Sequence, residues 1–325
     1  MTRTRAPADG RELGTRLRDR DLTAAPAALN LIESRALGAR EQAAALLAAV
    51  SPAELGHEAP AHIVGVTGPP GVGKSSLLSQ LVKHWRSIDR SVAVLAVDPS
   101  SRRSGGSLLG DRARIEIDPK DRRVFVRSTA AGTRLGGLAP ATRAASEALA
   151  AAFDVVVIET VGVGQSETEV ADAVDTVAVV LQPASGDVLQ FLKAGIMEVP
   201  DVLVLTKTDL GAVATRAMSD LQAALLALGA TDTAVCAVSS APPATGISEL
   251  ADALEAHRQR IDLAERRQHA RRRHALEEFA VEHGERGLRA LGGRLQAERW
   301  LEQQDPALDV PALERALTER AGSLG

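Results

Sequence analysis

The chain has 325 residues, 45% hydrophobic but only 2% aromatic, with no Tyr, a net charge of −4 and a single cysteine. This length allows one large domain with appendages or two domains, around a core that Ala, Val, Leu and Ile must build. The charge argues against general nucleic-acid binding, the lone Cys236 against a disulfide framework, and no apolar run is long enough to span a membrane.

The charged start of the chain lacks the apolar core of a signal peptide, and a lone cysteine fits a reducing cytosol, so the expected location is cytoplasmic. Residues 1–60 read as an alanine-rich helical segment, with apolar stripes at Leu29, Leu31, Ile32 and at Ala45, Leu46, Leu47, Val50. The pattern changes at residue 61. His62-Ile63-Val64-Gly65-Val66 is an apolar, β-rich run, and Ser76-Leu77-Leu78-Ser79-Gln80-Leu81-Val82 has helical spacing. Between them Gly68-Pro69-Pro70-Gly71-Val72-Gly73-Lys74-Ser75 fits G-x-x-x-x-G-K-[ST]. Strand, glycine loop and helix together are the setting of a phosphate-binding loop, which a merely structural loop does not require. Gly68, Gly71, Val72, Gly73, Lys74, Ser75 and Ser76 are the candidate phosphate contacts. Lys74 is expected to reach the β- and γ-phosphates and Ser75 to bind Mg²⁺.

Further strands are expected at 91–97, 123–127, 154–159, 175–181, 201–206 and 234–238, alternating with helices. That alternation predicts an α/β fold with a mostly parallel central sheet flanked by helices, plus helical arms at both ends of the chain. The 91–97 strand ends in Asp98-Pro99-Ser100-Ser101, whose carboxylate can order Mg²⁺ and the attacking water. Ser104-Gly105-Gly106-Ser107-Leu108-Leu109-Gly110-Asp111 suits a loop that rearranges around a γ-phosphate. The 154–159 strand runs into Glu159-Thr160-Val161-Gly162-Val163-Gly164-Gln165-Ser166-Glu167. There Glu159 can hold a Mg²⁺-bound water and the Gly162 N–H can contact the γ-phosphate. A carboxylate at any one strand end could instead be a cap or a surface charge.

The 201–206 strand ends in Thr206-Lys207-Thr208-Asp209, where GTPases usually show Asn-Lys-x-Asp. A carboxylate at Asp209 can accept from N1–H and the exocyclic amine of guanine, a pair adenine does not offer. The Lys207 stem can cover the ring face. Thr206 in place of Asn is expected to lose an amide that braces the loop. Ser239-Ser240-Ala241 follows the last strand and matches a short element whose backbone meets guanine O6. Cys236 lies in that strand as a small hydrophobe. Ile247, Leu250, Ala251, Leu254, Arg258 and Ile261 trace one helical face. In the charged, helical tail, Arg266-Arg267 and Arg271-Arg272-Arg273 read as solvated faces rather than an RNA contact. Leu276, Phe279, Leu288, Leu291, Leu295 and Leu301 call for a partner surface, either a second subunit or the chain's own G domain.

Taken together, the Asp98–Ser101, Ser104–Asp111 and Glu159–Glu167 runs resemble the MeaB/ArgK family. Its members are GTPases of the signal-recognition and MinD-type class and chaperones of adenosylcobalamin-dependent acyl-CoA mutases. The resemblance is close over residues 60–245 and looser over the arms. It implies that Lys74, Ser75, Asp98, Asp111 and Glu159 form a Mg²⁺-GTP site. It also implies a homodimer joined largely through the C-terminal arm. The expected domains are 1–60, a G domain over 61–255, and an arm over 256–325. The family's mobile loop corresponds to Gly186–Lys193, where Asp187, Gln190 and Lys193 match while Val188 and Phe191 depart. Arg134 departs too, standing where the family has a small residue.

The implied role is a GTP-driven gate on cofactor loading, protection or reactivation of a mutase of the methylmalonyl-CoA type. An ArgK-like kinase would need an acceptor site that nothing in the sequence marks. A metal-insertion GTPase of the nickel type would carry Cys and His clusters. Here His269 and His274 have poor one-face spacing, and no C-x-x-C or H-x-H occurs. A membrane-positioning switch would need a bulky amphipathic helix that the tail does not offer.

Overall fold

Short runs of Val, Leu, Ile and Ala form the strands of the computed structural model, which describes residues 9–98, 115–130, 138–160, 170–183 and 200–324. These are β1 (His62–Thr67), β2 (Val92–Asp98), β3 (Val124–Ala130), β4 (Val155–Glu159), β5 (Thr176–Leu181), β6 (Val202–Leu205) and β7 (Ala234–Ala237). They make one sheet in the order β3-β2-β4-β1-β5-β6-β7, and every pairing is parallel. The seven strands expected from the sequence are these seven, and the predicted α/β class holds.

A parallel sheet needs cover on both faces, which explains the near-continuous apolar runs. Val64, Val66, Val92, Val94, Val155, Val157, Ala178, Val180, Val202 and Val204 alternate onto one face. Helix α5 (Lys74–Ser87) meets them with Leu77, Leu78, Leu81, Val82 and Trp85, a stripe of helical spacing. Helix α8 (Ile247–Arg260) adds Ile247, Leu250, Ala251 and Leu254. Each such Leu or Val contributes about 1.5–3 kcal/mol relative to exposure. On the opposite face Ile63, Leu95, Val156, Ile158, Val179 and Leu203 are equally buried. The chain leaves β1 toward β2 on one side and later adds β5 on the other. The crevice at the carboxyl end of β1 is therefore a topological switch point, where open α/β sheets bind ligands. Helix α6 (Pro140–Ala150) lies between β3 and β4, and a 3₁₀ turn (Thr208–Leu210) and α7 (Ala212–Ala227) lie between β6 and β7.

At the other end of the sheet a buried polar chain fixes α8. His62 Nε2 and His257 Nδ1 each lie 2.8 Å from Thr176 Oγ1, and His257 Nε2 lies 3.1 Å from Asp201 Oδ1. With His257 Nε2–H donating to Asp201, its Nδ1 accepts the Thr176 proton and His62 Nε2–H donates to Thr176. Asp201 Oδ2 also accepts the Val177 N–H at 2.8 Å. The sequence placed His62 and Thr176 in expected strands but gave no sign of this partnership.

The chain forms two compact units. The sheet and α5 belong to the unit of residues Ala61–Ser146 and Phe153–Ile261, and Met1–Pro60, Glu147–Ala152 and Asp262–Gly325 form the other. The latter contains α1 (Gly10–Arg18), α2 (Ala25–Ile32), α3 (Ala39–Ala49), α4 (Pro52–Leu55), α9 (Leu263–Ala290), α10 (Arg294–Leu301) and α11 (Val310–Leu324). Asp9 and Asp262 cap α1 and α9 by accepting the Glu12 and Glu265 N–H. Gly284 interrupts α9 with φ +61°.

Two expectations for the tail are corrected here. Leu276, Phe279, Leu288, Leu291 and Leu301 are buried against one another and against Leu313 and Leu317 of α11, so the chain itself covers them. Leu295 alone of that set stands 62% exposed. The arginine run is not a solvated face either. Arg271 is buried and makes bonds of 2.9 and 2.7 Å to both carboxylate oxygens of Glu58, and Arg267 donates to the Ala59 carbonyl at 2.6 Å. Arg272 donates to the carbonyls of Glu302 and Gln304. These guanidiniums act as internal cross-links, a use for which bidentate Arg is suited.

Glu314 of α11 shares Arg40 of α3 with Glu282, at 3.5 and 2.6 Å. Burial, and then the neighbouring Glu278, push the Glu314 carboxyl up to about 7. Because the folded chain holds this proton more tightly than the unfolded one, ionisation removes stability as pH rises from 4.5 through about 7. Glu314→Gln should match the parent near pH 4 and exceed it above pH 7.5 by on the order of 2 kcal/mol in urea unfolding. Equal stability at the higher pH would mean that Arg40 fully compensates the charge.

Candidate functional site

β1 hands the chain directly to the glycine loop. Gly68 has φ +144°, and a Cβ there would meet the Val180 carbonyl oxygen at 2.2 Å, so no other residue fits. Gly73 caps α5 in the left-handed region at φ +97°. Lys74, Ser75 and Ser76 then occupy the first turn, where backbone N–H groups have no intrahelical partner and the helix dipole favours an anion. Val72 is fully buried and anchors the loop.

The Lys74 ammonium folds back to donate to Gly68 O at 2.7 Å and Pro69 O at 3.0 Å, which occupies two of its three protons. Burial lowers its pKa, and the nearby Glu159 carboxylate opposes that shift. The Ser75 hydroxyl donates to Glu159 Oε1 at 3.0 Å, so the loop and the end of β4 touch through two oxygens. Hydroxyl and carboxylate are hard donors of the kind Mg²⁺ takes, with phosphate oxygens and water filling the remaining positions. Among the described residues no three His, Cys, Asp or Glu side chains gather as a metal site of their own. At the strand ends below, the Thr67 and Thr160 hydroxyls are buried without a hydrogen-bond partner.

The second half of the site lies beyond β6. Asp209 Oδ1 accepts from the Ser239 hydroxyl at 2.7 Å, and Ser239 Oγ accepts the Ala241 N–H at 3.3 Å. The Ser239-Ser240-Ala241 element thus orients the carboxylate as well as flanking it. Lys207 stands at φ +55°, a left-handed conformation uncommon for a residue with a Cβ. Its ammonium donates to Gly71 O at 3.0 Å and also contacts Gln182 Oε1. Thr206 replaces the lost amide more fully than expected. Its hydroxyl lies 2.7 Å from Val72 O and 2.9 Å from Leu181 O, so the loop remains braced. Gln182 drew no attention in the sequence, and its position one residue past β5 was the available signal.

The described structure brings Gly68, Gly71, Val72, Gly73, Lys74, Ser75, Ser76 and Glu159 into one cluster. Direct contacts to Gly71 and Val72 join it to the loop that carries Lys207 and Asp209. Asp98 ends β2, two residues after Ala96, which pairs with Glu159, and its side chain is outside what is described. Asp111, Gly162, Asp187, Gln190 and Lys193, with Arg134, Val188 and Phe191, lie outside the described residues. Cys236 is buried, and burial pushes its thiol up to about 11, as suits an inert side chain.

A family model described as Methylmalonyl Co-A mutase-associated GTPase MeaB matches residues 25–288. A Mycobacterium bovis protein named as a probable GTPase is 41% identical over 256 residues, 76% of this chain and 74% of that protein. A Caenorhabditis briggsae protein named methylmalonic aciduria type A homolog, mitochondrial, is 42% identical over 193 residues, 56% of this chain and 46% of that protein. A crystal structure described as LAO/AO transport system kinase superposes with TM-score 0.63 at 28% identity, covering 96% of this chain and 97% of its own.

Proposed function

We propose, on the premise that this chain belongs to the MeaB family of GTPases, that its GTP cycle serves an adenosylcobalamin-dependent acyl-CoA mutase. Its parallel sheet and phosphate loop are those of a P-loop GTPase. The observation that carries the nucleotide reading is the junction of two half-sites, Lys74-Ser75-Glu159 and Lys207-Asp209, through Gly71 and Val72. The family description and the C. briggsae relative's name support the mutase as partner.

In this reading Lys74 neutralises the β- and γ-phosphates. Ser75 and Glu159, with Asp98 and Asp111, would hold Mg²⁺, which would supply charge stabilisation on the transferring phosphoryl group. The Gly162 N–H meets the γ-phosphate. Asp209 reads guanine, Lys207 covers it, and the backbone of Ser239, Ser240 and Ala241 meets O6. Asp187, Gln190 and Lys193 carry the nucleotide state to the mutase and so gate loading, protection or reactivation of its cofactor. The protein works as a cytoplasmic homodimer. Because Leu276, Phe279, Leu288, Leu291 and Leu301 are covered within the chain, the dimer contact does not rest on them.

The test is GTP hydrolysis against added cobalamin mutase from the same organism. The mutase should accelerate phosphate release, and Lys193→Ala should weaken that stimulation several-fold while leaving GTP affinity nearly intact. If no such mutase binds or changes the rate, the chaperone role fails and a GTPase of other purpose remains. The kinase named for the superposed structure supplies a second reading. It predicts label from [γ-³²P]GTP on an acceptor protein rather than in free phosphate.

A further inference from the structure

We infer that the outer face of α7 is a dimer contact, on which a second copy of this chain packs its own α7 antiparallel about a twofold axis. This rests on the homodimer reading above and gives that reading a surface.

Three observations carry it. Apolar side chains left outside gather at this helix. α7 turns Ala214, Leu221 and Leu225 inward, at helical spacing. On its outer side Val213 is 47% and Leu226 71% exposed, and Leu210 in the preceding 3₁₀ turn is 51% exposed. Secondly, α7 lacks the charges that keep a surface helix in water. A quarter of the chain is charged, yet the sixteen residues of α7 hold only Arg216 and Asp220 as charges. Lastly, those two side chains are exposed and, among the described residues, form no ion pair. At 3.6 residues per turn Val213, Arg216, Asp220 and Ala223 share one face, with Leu226 at its border.

That face is complementary to itself. A twofold axis level with Met218 sets Arg216 opposite Asp220 of the second copy, and Asp220 opposite its Arg216. The same axis sets Val213 opposite Ala223 and brings Leu226 level with Leu210, once at each end. This reciprocity is what an isologous contact requires. Ala223 is small and exposed, so the facing helix can come close. A slip of one turn would separate both charge pairs, so the charges set the register. About 24 Å of helix makes a small interface, under about 1,200 Å², so the dimer should exchange, with a dissociation constant on the order of 10 µM.

Sedimentation velocity of the full chain over a concentration series tests this. Arg216→Glu leaves only acids at these two positions and Asp220→Lys only bases. Each should raise the dissociation constant at least about tenfold, because like charges then face each other. An equimolar mixture of the two variants should associate to within about threefold of the parent, since both opposite-charge pairs return in the mixed dimer. Leu226→Glu should weaken association about tenfold and should not be rescued by mixing with Asp220→Lys. All three positions are exposed, and thermal unfolding at the parent's midpoint confirms that each variant folds.

A dimer that survives all three substitutions overturns the inference and leaves the homodimer reading standing on another surface. A mixture no better than its components overturns it too. If self-association is unchanged while stimulation by added mutase is lost, the face belongs to that partner and the inference falls. A parent chain that stays monomeric up to about tenfold above the expected dissociation constant removes both this inference and the homodimer reading.

Discussion

Asp209→Asn should abolish the preference for guanine. The carboxylate is held in place by the Ser239 hydroxyl at 2.7 Å and can accept two hydrogen bonds from N1–H and the exocyclic amine. An amide in its place turns an N–H₂ toward donors. Each hydrogen bond to a charged group contributes about 1.5–3 kcal/mol, so losing two should cost on the order of 10²–10⁴-fold in GTP affinity. The Ser239 donor can still reach the amide oxygen, so the loop geometry should survive. Xanthosine triphosphate, which carries an oxygen where guanine carries the amine, should then bind better than GTP. Competitive displacement of a fluorescent guanine nucleotide measures both values. An Asp209→Asn protein that still prefers GTP would mean that Asp209 is only a local cap.

Lys74→Ala should be the most damaging change to turnover. The ammonium is buried, aligned by the carbonyls of Gly68 and Pro69, and one of its protons remains for the ligand. A prealigned donor at developing charge is worth about 3–4 kcal/mol, so kcat/KM for GTP should fall by about 10²–10³-fold. GDP affinity should fall less, because GDP lacks the γ-phosphate that the ammonium also reaches. Glu159→Ala and Asp98→Ala should act differently, harming Mg²⁺-dependent turnover more than GDP affinity. Steady-state phosphate release over a Mg²⁺ titration separates the two patterns. Unchanged turnover in all three variants would show that the site has been misplaced.

The sheet was legible because its signals are local. Val92-Ala93-Val94-Leu95 and Val155-Val156-Val157-Ile158 are apolar runs of strand length, and the alternation with helices set the parallel arrangement. Lys74, Ser75 and Glu159 could be paired in advance because each sits at a strand end or loop of recognisable composition. The missed contacts are those whose partners lie far along the chain. Arg271 meets Glu58 across 213 residues, and no periodicity encodes that pairing. Leu276, Leu288, Leu291 and Leu301 were rightly expected to be buried and Leu295 was not, and an apolar stripe does not say whether its cover comes from α11 or from a second copy. Thr206 was misjudged for a related reason. Its type was compared with the usual Asn, whereas its function follows from where its hydroxyl points.

The most direct measurement of the central claim is phosphate release from GTP and from ATP by the purified full chain at millimolar Mg²⁺. This account predicts hydrolysis that stops when Mg²⁺ is chelated and a kcat/KM for GTP at least about 10²-fold above that for ATP. Equal use of the two nucleotides, or turnover indifferent to Mg²⁺, would contradict it.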